Sequence, residues 1–202
     1  MKIIGLTGGI GAGKSTASSI LKEYGCIILD ADAISREMTS DGSEVLDDIA
    51  GTFGPGYVSN GVLDRKALGM LVFNDKNALT KLRSLITDKV ADAIMSEIRT
   101  LKKEDKDGIV IIDAPLLFEC GLHKITDENW LVSSNMDVRI KRVSARDGLS
   151  EQEILSRINS QMSEEEKKSL SQQVLDNSGT VDQLRLQIAC QLERIKNEIQ
   201  QK

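Results

Sequence analysis

The chain has 202 residues, 40% of them hydrophobic and 28% charged, with a formal net charge of -5. That length buries a full core and is most simply one domain with room for an insertion. The acidic balance argues against a broad nucleic-acid surface, and no apolar run approaches the roughly 20 residues of a membrane helix. Three scattered cysteines, Cys26, Cys120 and Cys190, never form a C-x-x-C pair. They fit free thiols in a reducing compartment and offer no metal framework. Met1-Lys2 runs straight into "IIGL" without the length or cleavage site of a signal peptide, so the expected location is the cytoplasm.

In chain order, "KIIGL" is a short apolar run that ends at a glycine-rich turn, the pattern of a buried strand. Ala17, Ile20, Leu21 and Tyr24 then recur at helical spacing until Gly25. "CIILD" is a second strand. Ala31 to Asp107 is too long for one crossover helix: "GPGYVSNG" carries turn signals, and Leu79, Leu82, Ile86, Val90, Ile94 and Ile98 mark a long amphipathic helix. This predicts a small, mostly helical insertion above the sheet, beside the ligand crevice. "GIVIID", "NWLVSS" and "QQVLDN" supply the third to fifth strands, and Val181, Leu184, Ile188, Leu192, Ile195 and Ile199 the last helix. Short apolar strands alternating with helices predict an α/β fold, a five-stranded parallel sheet with helices on both faces.

Gly8-Gly9-Ile10-Gly11-Ala12-Gly13-Lys14-Ser15 fits G-x-x-x-x-G-K-[ST] completely, between a strand and a helix. Glycines let successive N–H groups turn inward around phosphate oxygens, and the helix adds its positive end. Lys14 would reach the β- and γ-phosphates, and the Ser15 hydroxyl would ligate Mg²⁺. A dinucleotide fold is disfavoured, because no register gives G-x-G-x-x-G and Lys14-Ser15 would go unexplained. The loop is expected to hold a nucleoside triphosphate.

The carboxylates and arginines indicate what happens to it. "ILDADAISRE" raises Asp30 and Asp32 at the end of the second strand. A hydroxyl acceptor needs a group that orients it and takes its proton, and Asp32 is the expected base. Asp30 would support the metal shell or the loop, although aspartates here also suit helix capping. Asp113, ending "IIDAP", is the expected acid that holds Mg²⁺ through water, and Glu119 reads as a polar cap. Arg139, Arg142 and Arg146 fall at i, i+3 and i+7 on one helical face, where a nucleotide kinase carries its lid. Function is assigned to Arg142 and Arg146, with Arg157 a further lid candidate. His123 reads as an exposed loop residue, Cys120 lacks a partner base, and Trp130 reads as core.

Together these residues resemble the dephospho-CoA kinase family. "IGLTGGIGAGKST", "DADAISRE", "GVLDRKAL", "DAPLLFE", "RVSARDGLS", "RINSQM" and "LDNSG" occur in the family's order over nearly the whole chain. The resemblance implies a P-loop kinase fold with a nucleotide-binding core (1–30, 108–138 and 172–202), a helical acceptor-binding insertion (31–107) and a lid (139–171). It implies transfer of the γ-phosphoryl of ATP to the 3′-hydroxyl of dephospho-CoA, with Mg²⁺. ATP falls to Gly9, Gly11, Ala12, Gly13, Lys14, Ser15 and Thr16 with Arg142, and Asn177 near the adenine. Asp32 becomes the base, Lys14 and the lid residues Arg142 and Arg146 the charge stabilisers, and Arg36, Asp64 and Arg65 the acceptor side. A monomer or weak homo-oligomer is expected, without nucleic-acid or membrane partners. Departures from the family pattern are Asp41, Thr87-Asp88 (usually His-Pro) and Ser171-Gln172. Two other readings stand beside this one: a kinase for a simpler nucleoside or nucleotide, and a non-catalytic nucleotide binder. A GTPase-type switch would read guanine with N-K-x-D, which the chain lacks.

Overall fold

The computed structural model describes residues 1–201. The elements run β1 (Lys2–Gly8), α1 (Lys14–Glu23), β2 (Ile27–Asp30), α2 (Ala31–Met38), α3 (Val45–Phe53), β3 (Val58–Ser59), β4 (Val62–Leu63), α4 (Arg65–Asn74) and α5 (Lys76–Glu104). They continue with β5 (Ile109–Asp113), β6 (Glu128–Ser133), α6 (Met136–Asp147), α7 (Glu151–Asn159), α8 (Glu164–Leu170), β7 (Gln173–Asp176) and α9 (Val181–Gln200). The chain divides into two compact units, Met1–Leu29 with Ile98–Lys202, and Asp30–Glu97.

The first unit is built on a parallel five-stranded sheet of order β2-β5-β1-β6-β7. All five strands fall where the apolar runs predict them. β1 lies between β5 and β6, with Leu6 opposite both Asp113 and Trp130. Side chains alternate across a strand, so Ile4 and Leu6, Ile109 and Ile111, and Trp130 and Val132 share one face. That face packs on Ala17, Ile20 and Leu21 of α1 and on Leu184, Ile188, Leu192 and Ile195 of α9, the residues that the helical spacing selects. Trp130 is wholly buried; its indole N–H donates to Glu128 at 2.8 Å, and Glu128 also pairs with Arg194 of α9 at 2.7 Å.

The second unit gathers Val45, Leu46 and Ile49 of α3 and Leu68 of α4 into its own core, flanked by Leu82, Leu85 and Ile86 of α5. α5 runs unbroken through Thr87-Asp88 as one helix of 29 residues. The unit also holds an antiparallel β3–β4 hairpin, finer than "mostly helical" foretells. Its turn is Asn60-Gly61, both at positive φ, as a two-residue hairpin turn requires.

One residue departs from its sequence reading. His123 lies in a short 3₁₀ turn, Leu122–Ile125, instead of an exposed loop. Its ring packs on Phe118 with centroids 5.4 Å apart, and its Nδ1 is shielded from solvent. Phe118, the last residue of the apolar "PLLF" run, is thus what lies against the imidazole. Among the described residues, no helix is long and apolar enough to cross a membrane.

Candidate active site

The phosphate loop leaves β1 at Gly8 and enters α1 at Lys14. Gly13, the N-cap of α1, is left-handed (φ 89°) and no side chain caps the helix. The Thr16 N–H turns back to the Gly13 carbonyl at 3.0 Å, which leaves the N–H groups of Lys14 and Ser15 and the positive helix end to receive an anion. The loop lines a pocket of about 530 Å³ with Pro115, Arg142, Arg146, Gln161, Asn177 and Val181. Residues from four separate stretches of the sequence therefore meet over one loop.

Lys14 and Asp113 form an ion pair, and the Ser18 hydroxyl donates to the other carboxylate oxygen of Asp113. β1 and β5 are neighbours, which brings the loop's lysine to the acid at the end of β5. Ser15, next to Lys14, is exposed at the start of α1. A hydroxyl and a nearby carboxylate are hard oxygen donors that suit Mg²⁺, which binds through few protein ligands alongside phosphate oxygens. Among the described residues no cluster of three or more His, Cys, Asp or Glu could hold a metal ion.

Asn177 is buried behind the loop. Its side-chain amide donates to the Ala12 carbonyl at 2.8 Å, and its own carbonyl accepts from Arg142 at 2.9 Å. Arg142 thus lines the pocket with its guanidinium held by the strand-end loop after β7. Arg146 lines the same pocket, but its guanidinium is paired with the adjacent Asp147 at 2.7 Å. That contact holds the Asp147 carboxyl below its usual range. Arg157, on α7, is exposed.

Four contributors escape the sequence reading. Arg139, first of the arginine stripe, is only 4% exposed; it donates from Nε to the Ile10 carbonyl at 2.9 Å and pairs with Glu164 at 2.9 Å. Gln161 accepts from the Ile10 N–H at 3.2 Å. Burial pushes the Glu164 carboxyl up, but Ser133, Lys168 and Arg139 together outweigh it and hold it below its usual value. Lys167 is 1% exposed, with Nζ 3.0 Å from the Pro115 carbonyl and 2.9 Å from Glu119. Glu119, read as a polar cap, also accepts from the Met162 N–H at 3.2 Å. The stripe and "RINSQM" contain the signal for Arg139 and Gln161, but nothing in them shows which way each side chain turns.

Asp32, Arg36, Asp64 and Arg65 all lie in the second unit. Asp30 is the N-cap of α2, accepting from the Ala33 N–H at 2.9 Å, so the capping alternative holds for it. Asp32 stands exposed in the first turn of α2, with Arg36 exposed one turn further on. Asp64 caps α4 through the Ala67 N–H at 2.8 Å. Arg65 donates to the Thr39 carbonyl at 2.7 Å, tying α4 to the end of α2.

The family model for dephospho-CoA kinase matches residues 2–183. The chain belongs to the dephospho-CoA kinase family. The dephospho-CoA kinase of Carboxydothermus hydrogenoformans is 41% identical over 197 residues, covering 97% of this chain and 95% of the relative. A crystal structure from Thermus thermophilus superposes with a TM-score of 0.76 at 36% identity, over 95% of this chain and 97% of that one. The dephospho-CoA kinase of Campylobacter jejuni gives a TM-score of 0.71 at 26% identity, over 98% and 99%. The fold is that of the P-loop kinases, and the family is one of ATP-dependent kinases.

Proposed function

We propose that this chain is a dephospho-CoA kinase, moving the γ-phosphoryl of ATP to the 3′-hydroxyl of dephospho-CoA. The products are CoA and ADP, in the final step of CoA biosynthesis. The observation that carries the reading is the complete phosphate loop, lined with Arg142, Arg146 and Asn177 in a chain that the family model spans almost entirely.

In this reading, the loop N–H groups and the start of α1 receive the β- and γ-phosphates, and Lys14 leaves Asp113 to meet them. Asn177 lies on the adenine side and holds Arg142 over the triphosphate. Arg146 must exchange Asp147 for phosphoryl oxygens. Asp32 orients the acceptor hydroxyl and accepts its proton as the new O–P bond forms and the bond to the β-phosphate bridging oxygen breaks. Ser15 and, through water, Asp113 would hold Mg²⁺, which when bound neutralises charge on the phosphate oxygens. Arg36 serves the acceptor side directly, while Asp64 and Arg65 serve it by shaping the unit around Thr39. Because phosphoryl transfer has a loose transition state, these roles are positioning and charge stabilisation rather than strong basicity. Three free thiols accord with the reducing cytoplasm.

The test is ADP release from Mg·ATP with dephospho-CoA, with adenosine or AMP, and with no acceptor. Release that requires dephospho-CoA and yields CoA is expected. Release with a simpler acceptor alone would replace the substrate assignment, and ATP binding without release would move the chain to the non-catalytic binders.

A further inference from the structure

We propose that Arg139 is a positioning residue that carries the placement of α8 to the Ile10 peptide unit and so sets the shape of the phosphate loop. The proposal rests on the kinase reading and names a residue that acts through the loop rather than on the phosphates.

The Arg139 guanidinium is held at two of its nitrogens. Nε donates to the Ile10 carbonyl, Nη1 meets Glu164 on α8, and Nη2 lies 2.5 Å from where a Cβ on Gly9 would stand. Gly9 is thus the residue that lets the guanidinium lie flat against the loop's first turn. On the other side of the same residue, the Ile10 N–H is spent on Gln161. Both polar groups of Ile10 are therefore held by the α6–α8 stretch, and neither points into the anion nest. The Ile10 residue is thus fixed from the α6–α8 side, while the Ala12 N–H closes the turn onto the Gly9 carbonyl at 3.0 Å.

α8 is a suitable anchor because it is itself moored. Lys167 carries its buried ammonium to Pro115 and Glu119, just beyond the strand that ends in Asp113. The helix thus braces two parts of the site at once, the phosphate loop through Glu164 and Arg139, and the segment after Asp113 through Lys167. A charge as buried as Arg139 is costly to desolvate, and an apolar residue would stabilise the same position comparably. What an apolar residue cannot do is hold a carbonyl and a carboxylate at fixed angles, which a planar guanidinium does. Phosphoryl transfer depends on such placement: a shift of about 1 Å in the reacting groups costs on the order of a hundredfold in rate.

The test uses the full chain with Arg139→Lys, Glu164→Gln and the pair. Lysine keeps the charge opposite Glu164 but lacks the fork that reaches Ile10 as well. Glutamine keeps a hydrogen-bond acceptor for Arg139 but removes the charge that fixes it. The readouts at 25 °C are kcat and KM for ATP, calorimetric affinity for Mg·ADP, and Tm. Arg139→Lys is expected to lower kcat about tenfold and weaken Mg·ADP about fivefold, and Glu164→Gln to act in the same direction by about threefold. The pair should be no worse than Arg139→Lys alone, because both break one linkage. A lower Tm with kcat and ADP affinity unchanged would make Arg139 merely structural and overturn the proposal. An unaffected Glu164→Gln beside an impaired Arg139→Lys would overturn the link to α8. Should Arg139→Lys not fold, Glu164→Gln decides alone. Wild-type protein that binds Mg·ADP but leaves dephospho-CoA untouched would refute the kinase reading, and the ADP comparison would still judge Arg139.

Discussion

A Cβ placed on Gly13 would stand 2.0 Å from Nδ2 of Asn177. The loop's last glycine and the asparagine after β7 therefore occupy one space that admits no methyl group. Gly13 also sits at φ 89°, where an L-residue is strained by about 1–2 kcal/mol. Gly13→Ala should push Asn177 from the Ala12 carbonyl and release Arg142. The expected result is a loss of at least about a hundredfold in kcat/KM for ATP, with helix content preserved. Steady-state kinetics beside far-UV circular dichroism checks it.

The Lys14–Asp113 ion pair ties the loop to the end of β5. Lys14→Ala should reduce kcat by roughly a thousandfold, the scale of removing one preorganised charge from a transferring phosphoryl group. It also leaves Asp113, only 6% exposed, with Ser18 as its remaining side-chain partner, so Tm should fall by a few degrees. A turnover assay and a thermal melt on the same preparation read both effects. Near-normal kcat would remove Lys14 from the phosphate site.

Asp32→Asn separates base from metal support. An amide can neither orient the acceptor hydroxyl as an anion nor take its proton, so kcat should drop by about two to four orders of magnitude. Mg·ADP affinity by calorimetry should stay within about twofold. A loss confined to nucleotide affinity would instead move Asp32 to the metal shell.

The three cysteines should differ sharply in reactivity. Burial pushes the Cys26 thiol up from 9.0 to about 11, partly offset by the charge of Lys196. At pH 8 Cys26 is then almost wholly thiol, and only the thiolate attacks disulfide reagents. Cys190 is exposed and Cys120 intermediate. Titration with an aromatic disulfide at pH 8 should label Cys190 first and Cys26 only on unfolding. The sign for stability follows: Cys26 favours the fold below about pH 9, and that preference fades as pH rises toward 11.

The core and the phosphate loop were legible because both are written in local patterns. "CIILD" and "GIVIID" have no polar face to misplace, and the glycine-lysine motif carries its geometry in its spacing. The charged residues of α6 and α8 were not legible in this way. A stripe at i, i+3 and i+7 usually marks a solvated face, yet Arg139 is buried while the Arg146 side chain is 68% exposed. The two point in nearly the same direction but stand about 10 Å apart along the helix, so one end of the stripe reaches under the loop and the other emerges. "EEEKKSL" is a run of charges with no apolar periodicity, and it forms a helix opened by a Ser163–Glu166 capping box. Lys167 is hidden because Pro115 and Glu119 come to it from a distant part of the chain.

Trp130 is the sole tryptophan of the chain, and it is sealed between the sheet and its helices in the first unit. Its emission should be blue-shifted in the native protein and should move red only when that core admits water. The Asp30–Glu97 unit has no tryptophan, so it can melt without changing this signal, whereas its helices contribute to circular dichroism at 222 nm. Superimposable denaturation curves from the two optical probes would mean a single cooperative transition. A fluorescence curve lagging the dichroism would show the Asp30–Glu97 unit unravelling first, so the chain carries its own built-in reporter of how many cooperative pieces it has.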